Sequence, residues 1–288
     1  MSEAQHIQWF PGHMTKTRRK IAEQLKLIDA VAEIVDARIP ISSRNPELLE
    51  LIGNKPHIIL LNKCDMADPK ATAEWIEFYK KSGIIAIPVD CRTGKGLNSF
   101  KDSVKAVLSG KLEEFKNKGL VGKPLRVMVV GIPNVGKSSF INRISGGAKA
   151  KVENRPGVTR GNQWFTIDKQ LELLDTPGVL WPKFDDVTVG EHLAFTGAVT
   201  DRITDTELLA MRLLEELYQK CPEKLTDRYG ELNDTNDGYD MLCEVGRKRS
   251  MRMRGGDTDT VRAAAMVLEE FRNLKLGRIT LEKVDENA

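Results

Sequence analysis

Cysteine is scarce: Cys64, Cys91, Cys221 and Cys243 are the four in 288 residues, far apart and with no C-x-x-C pair. That spacing argues against a disulfide framework and a thiolate zinc site, and makes a reducing cytoplasm the expected setting. Also missing is any apolar run near the roughly 18 residues that a membrane-spanning helix needs, so no membrane partner is expected. The opening Met1-Ser2-Glu3-Ala4-Gln5-His6 lacks the basic-then-apolar pattern of a secretory signal. Charge of one sign is in short supply too, 44 Lys+Arg against 41 Asp+Glu leaving +3. Composition therefore establishes no general attraction to nucleic acid, and local clusters must carry any such reading.

What is present suits a folded, two-domain chain. A hydrophobic fraction of 41% can fill a core, and 30% charged residues fit a soluble surface. The sharpest feature is Val127-Met128-Val129-Val130 running into Gly131-Ile132-Pro133-Asn134-Val135-Gly136-Lys137-Ser138-Ser139. G-x-x-x-x-G-K-S after a strand-like run and before a helical one is a phosphate-binding loop. Its glycines let successive N–H groups, with those of Asn134, Val135 and Gly136 among them, turn toward phosphate oxygens. The helix that follows offers its positive dipole end. Lys137 is expected at the β- and γ-phosphates, Ser138 on Mg²⁺ through its hydroxyl, with Ser139 beside it. Gly, Pro and Asn also build ordinary turns, but the flanking pattern speaks for the phosphate loop.

Apolar strands at 30–35, 57–61 and 84–89 alternate with helical patterns at 46–52, 71–81 and 97–108, and a charged linker spans 111–123. This alternation predicts an α/β fold, a mostly parallel sheet with helices on both faces and ligands at the carboxyl ends of the strands. The second strand runs into Asn62-Lys63-Cys64-Asp65, an N-K-x-D pattern. A carboxylate at Asp65 can accept from both N1–H and the exocyclic amino group of guanine, and would reject adenine on the order of 10⁴-fold. Lys63 would lay its stem along the base. The third strand ends at Asp90-Cys91-Arg92, where a backbone N–H is expected to meet the guanine oxygen. Cys64 and Cys91 are most simply small buried residues within these segments.

Past the phosphate loop, Pro156-Gly157-Val158-Thr159-Arg160-Gly161 offers Thr159 to Mg²⁺ and the γ-phosphate, though a plain surface turn reads equally well. A hairpin over 164–167 and 171–174 leads into Asp175-Thr176-Pro177-Gly178. Asp175 would reach Mg²⁺ through water, and the Gly178 N–H the γ-phosphate. The base-reading segments thus precede the phosphate-reading ones. Joining the segment after Gly178 to Ala30 would restore the usual order, which makes the arrangement a circular permutation. Surface termini tolerate such a rearrangement. The loop after Gly178 then leads straight into the second domain.

This order, with Trp9-Phe10-Pro11-Gly12-His13-Met14 and Asp36-Ala37-Arg38 added to the motifs above, resembles the YlqF family of circularly permuted GTPases. The resemblance implies a monomeric, cytoplasmic GTP- and GDP-binding factor of bacteria. It would bind a late precursor of the large ribosomal subunit and its rRNA, hydrolyse GTP there, and leave. A GTP-regulated placeholder whose turnover is not essential is the competing reading. Ras-like enzymes orient the attacking water with a glutamine directly after D-x-x-G; here Val179 stands in that place and can make no hydrogen bond. Intrinsic turnover should then be on the order of 10⁻³ per second or slower. An activator restoring about 10⁵-fold would supply roughly 7 kcal/mol. The resemblance gives His13 a water-positioning role, against the plainer reading of a histidine packed at a Pro-Gly turn. It also gives Asn134 a K⁺ ion. His6, His57 and His192 match no such pattern.

Two basic patches remain. Residues 15–28 form an amphipathic helix carrying Lys16, Arg18, Arg19 and Lys20, which is a solvated face or an RNA contact. The expected division is a GTPase domain over 1–185 with this basic helix, and a small all-α domain over 186–288 that binds RNA or the ribosome. In the latter, Thr204-Asp205-Thr206-Glu207 reads as a capping box for a helix to about Lys220, and Thr258 or Asp259 as the start of another. Between them Arg247, Lys248, Arg249, Arg252 and Arg254 form a cation cluster in a loop or helix start, suited to phosphate-backbone contacts. No RNA-recognition motif with stacking aromatics is visible, so RNA shape rather than sequence would be read.

Overall fold

The computed structural model describes residues 14–120, 122–146, 152–153, 163–178, 186–199, 205–232 and 237–284. They fall into two compact units. The first takes the described residues from 14 to 178 and also 282–284; the second takes those from 186 to 281. Residues 282–284 thus belong with the first unit, although nothing in their pattern separates them from the second half.

The first unit runs α1 (Met14–Leu25), β1 (Ala30–Asp36), α2 (Pro46–Ile52), β2 (His57–Asn62), α3 (Pro69–Lys81), β3 (Ile85–Pro88), α4 (Asn98–Val107), α5 (Ser109–Asn117), β4 (Leu125–Val130), α6 (Lys137–Ile144), β5 (Val152–Glu153), β6 (Gln163–Asp168) and β7 (Leu171–Asp175). The strands form one sheet in the order β3-β2-β1-β4-β7-β6-β5. Strands β3, β2, β1, β4 and β7 are parallel, and β6 and β5 continue antiparallel. From β1 the chain winds outward to β2 and β3; from β4 it winds the other way to β7. The switch point between β1 and β4 is where open α/β sheets open a ligand crevice. The base motif ends β2, the phosphate loop follows β4 and Asp175 ends β7, so parallel direction alone brings them to one edge. This is the permuted α/β fold that the motif order predicts.

Strand alternation divides the core between the two faces. Val31, Met128, Val130, Trp164 and Leu174 pack with Ile21, Leu25, Leu48 and Ile52 of α1 and α2. On the same face Val35, Ile59 and Leu61 meet Trp75 and Tyr79 of α3. Between these clusters lies a buried carboxylate, Glu33, held by Arg44 Nη2 at 2.9 Å and His57 Nε2 at 3.1 Å. Burial pushes its pKa up, but His57 and Arg44 outweigh that and leave it lowered. The opposite face carries α4 and α6, whose Phe100 and Phe140 meet edge-on at 5.0 Å.

The C-terminal turn works as a cap. Glu282 Oε2 accepts from the Ile41 N–H at 2.6 Å, Oε1 accepts from the Ser42 N–H at 3.0 Å, and Trp75 Nε1 donates to the Glu282 carbonyl at 3.0 Å. It satisfies the buried backbone of the loop that follows β1.

The segment 111–123, expected as a linker, is partly helical. Phe115 is buried, and Lys111 and Lys123 hold their ammonium groups 5.4 and 4.8 Å from its ring centre.

Among the described residues, the elements of the second unit are the helices α7 (Val187–Phe195), α8 (Thr206–Lys220), α9 (Pro222–Tyr229), α10 (Gly238–Lys248) and α11 (Thr260–Arg272), with one isolated bridge between Arg252 and Thr258. Asp205 and Asp259 are the N-caps of α8 and α11. His192 Nε2 lies 2.9 Å from Glu216 Oε1 inside this unit, a structural pair. No described helix is long and apolar enough to cross a membrane.

Candidate nucleotide site

The phosphate loop is shaped by three backbone positions. Asn134 sits in the left-handed region at φ 61°, and Gly136 at φ 105° occupies the N-cap of α6. A Cβ on Gly136 would stand 2.3 Å from Asn62 Nδ2, so both conformation and space demand glycine. Gly178 approaches from β7: a Cβ there would lie 2.8 Å from Lys137 Nζ and 2.9 Å from the Pro133 nitrogen. The loop, its lysine and the D-x-x-G segment thus form one backbone cradle. Val135 is buried, while Asn134, Ser138 and Ser139 are exposed.

Lys137 is buried, and its Nζ donates to the Gly131 and Ile132 carbonyls at 3.0 and 2.7 Å. Burial pulls its pKa down to about 8, against an opposing pull from the half-buried Asp175. Burial in turn raises the pKa of Asp175, with Lys137 partly offsetting it. A buried cation resting on neutral carbonyls is a charge still owed a counter-ion, and phosphate would supply it.

Asn62 ties the base motif to both neighbours. Its Nδ2 donates to the Val135 carbonyl at 2.6 Å, and its Oδ1 accepts from the Cys91 N–H at 3.0 Å. Of the three N–H groups in the Asp90-Cys91-Arg92 segment expected to face the guanine oxygen, that of Cys91 is thus engaged by Asn62 and that of Asp90 by the Lys95 carbonyl at 3.0 Å. Arg92 and Thr93 N–H groups turn back onto Asp90 Oδ1 at 2.8 and 3.3 Å, which makes Asp90 the organiser of its own turn. Cys64 and Cys91 are buried, and burial pushes the Cys91 thiol up to about 12, away from a reactive thiolate.

Two contacts were not visible in the motif pattern. Lys63, at φ 60°, places its Nζ 2.9 Å from Asp36 Oδ2, the same oxygen that accepts from Arg38 Nη2 at 2.8 Å. Among the described residues, Asp65 has a long contact of 3.4 Å to Arg92 Nη2. The signal for the first was present: Asp36-Ala37-Arg38 closes β1 opposite Asn62. It takes the Asp36↔Asn62 register to show what Asp36 faces.

His13 and Thr159 lie outside the described residues, as does the side chain of Lys16. Of the other expected RNA contacts, Arg18 lies 3.6 Å from Glu50 and Arg19 3.3 Å from Glu23, so α1 neutralises part of its basic face; Lys20 is half-exposed. The second cluster ends a helix rather than starting one. Arg247 and Lys248 close α10, and Lys248 also donates to the Glu231 carbonyl. Arg249 turns inward, 5.6 Å above the Tyr229 ring, and donates to the Arg228 carbonyl at 3.1 Å. Arg252 and Arg254 stand exposed on a tight turn.

The sequence is 48% identical to the ribosome biogenesis GTPase A of Priestia megaterium over 282 residues, 97% of this chain and 98% of that protein. The chain belongs to the ribosome biogenesis GTPase A family. Residues 126–232 match the model of the family described as 50S ribosome-binding GTPase. A GDP-bound YlqF structure superposes with TM-score 0.68 at 27% identity, covering 93% of this chain and all of that one. GNP-bound YlqF from T. maritima gives 0.62 at 27% identity, with 93% and 98% covered. Membership of the ribosome biogenesis GTPase A family makes the chain a guanine-nucleotide-binding GTPase with a permuted phosphate-loop domain.

Proposed function

We propose that this protein is a Mg²⁺-dependent GTPase that assembles the large (50S) ribosomal subunit, binding a late precursor and its rRNA and hydrolysing GTP on that particle. The observation that carries the reading is the buried Lys137 ammonium, whose hydrogen bonds among the described residues go to the Gly131 and Ile132 carbonyls, within the cradle of the phosphate loop and Gly178.

Each residue then has a task. Lys137 draws in the β- and γ-phosphates, and the Gly178 N–H meets the γ-phosphate. Ser138 and Asp175, the latter through water, would hold Mg²⁺, with Thr159 assigned a further contact. A hydroxyl and a carboxylate are the hard oxygen donors this ion takes, and phosphate and water would complete its shell. Bound there, the ion neutralises charge on the phosphate oxygens. Asp65 reads N1–H and the amino group of guanine while the Lys63 stem covers its ring, between the segments of Asn62, Cys64, Asp90 and Cys91. Val179 cannot orient water, so His13 takes that part, and the Asn134 amide oxygen helps to hold K⁺. Exposed Arg247, Arg252 and Arg254, with the remaining cations of the two clusters, meet the rRNA backbone. The protein works as a cytoplasmic monomer.

Turnover of GTP by the full chain, with and without purified large subunits and in K⁺ against Na⁺, tests this. Alone it should turn over on the order of 10⁻³ per second, and subunits should raise the rate at least about tenfold. Absence of stimulation sinks the assembly role, and equal rates in the two salts sink the K⁺ site.

A further inference from the structure

Asp36 is a buried carboxylate at the carboxyl end of β1, and it joins its own loop to the base motif. Its Oδ1 accepts from the Arg38 N–H at 3.0 Å and from Arg38 Nε at 2.9 Å. Its Oδ2 accepts from Arg38 Nη2 at 2.8 Å and from Lys63 Nζ at 2.9 Å. Arg38 alone forms the two-pronged pair that neutralises the carboxylate. Lys63 is therefore an added cation, not one needed to balance charge.

Lys63 is also held in a left-handed backbone conformation, at φ 60°, which disfavours a non-glycine residue. The Ala37 N–H donates to the Asn62 carbonyl at 2.8 Å, so the backbone just past β1 is clamped to the end of β2 as well. The Asp36 N–H is itself taken by Ser43 Oγ at 2.9 Å, which fixes Asp36 from behind. A flexible four-carbon stem gains little order from solvent; here both its ends are fixed.

We propose that Asp36, with Arg38, is a positioning residue for the guanine base: it fixes the Lys63 stem as the platform on which the base lies and sets the turn that presents Asp65. The inference rests on the assignment of Lys63 and Asp65 to the base. Pre-ordering a long side chain before the ligand arrives removes an entropic cost from binding. It also keeps the Lys63 ammonium away from Asp65, two residues on, where a salt bridge would occupy the carboxylate meant for guanine.

The test is a double-mutant cycle on GDP affinity, measured by calorimetry on the full chain. D36N turns a neutral amide toward two cations and should weaken GDP about tenfold, the loss of one charge-assisted contact. In the K63M background the same change should weaken GDP less than about twofold, since the group it acts through is gone. Equal losses in both backgrounds overturn the inference, because a merely structural Asp36 would act regardless of Lys63. Should D36N fail to fold, D36N/R38M removes both buried charges together, and the same comparison is made with it. D65N separates the underlying reading: it should lose the preference for GDP over xanthosine diphosphate. If D65N keeps that preference, the base assignment falls; if D65N loses it while the cycle is additive, the positioning role alone falls.

Discussion

Lys63 and Lys137 stand a strand apart on the same edge of the sheet, and the protein treats their charges differently. Lys63 meets a carboxylate, Asp36, that the fold itself supplies at 2.9 Å. Lys137 is more deeply buried, yet its hydrogen bonds go to the carbonyls of Gly131 and Ile132, and Asp175 acts on it only through space. A buried ammonium without a bonded carboxylate is expensive. Folding tolerates it where a ligand returns the cost, so under the proposed function the unbalanced lysine would meet the ligand's charge and the balanced one its shape. The contrast between Asp36 and Asp65 runs parallel: one carboxylate takes donors from Arg38 and Lys63, the other has a long 3.4 Å contact to exposed Arg92.

The largest effect should follow from removing the unbalanced charge. Lys137→Met should weaken GDP binding on the order of 10²–10³-fold, the loss of a buried charge pair with phosphate. Lys63→Met should cost only about tenfold, a packing and ordering term. Calorimetric titration of both variants checks the ranking. Equal losses would erase the distinction between a lysine that binds charge and one that supports a ring.

A pH measurement sharpens the same point. The pKa of Lys137 falls from 10.5 to about 8 in the free protein, chiefly through burial. In that window the unfolded chain binds more protons than the native one, so the free protein should gain stability as pH rises from about 8 towards 10.5. Phosphate would restore the proton, so GDP binding near pH 9 should take one up. Heats of binding in buffers of different ionisation enthalpy read this directly, and Lys137→Met should abolish the uptake. No difference between the two proteins would mean that Lys137 does not face phosphate.

Much of this was legible in the residues. The strands that carry motifs are apolar runs ending in Asp, Asn or Gly, and parallel direction follows from their alternation with helices. The pattern failed where packing, not periodicity, makes the element. Helix α5 buries only Phe115, so it shows no stripe. Helix α10 holds Gly238 and Gly246, which weaken a helix on propensity alone. A Cβ on Gly246 would meet Thr258 Cγ2 at 2.4 Å and one on Gly238 the Met211 carbonyl at 2.7 Å, so both glycines serve close approach of neighbouring elements. The pairing of Asp36 with Lys63, and of Glu282 with Ile41 and Ser42, joins residues that only tertiary structure brings together; charge counting cannot choose such partners among 41 acidic residues.

The smallest expected effect concerns Arg92, and it tests the exposed half of the comparison. Its contact to Asp65 is 3.4 Å long, and the Arg92 side chain is 80% exposed. Such a pair is screened by water and contributes about 0–1 kcal/mol. Arg92→Ala should therefore leave thermal stability unchanged within error and shift GDP affinity by less than about twofold. A gain of tenfold would show that Arg92 competes with the base for Asp65, and a loss of tenfold that it lies on the nucleotide. The first result would make Asp65 a balanced carboxylate like Asp36, and the rule that unbalanced charge marks the ligand would then hold for Lys137 alone.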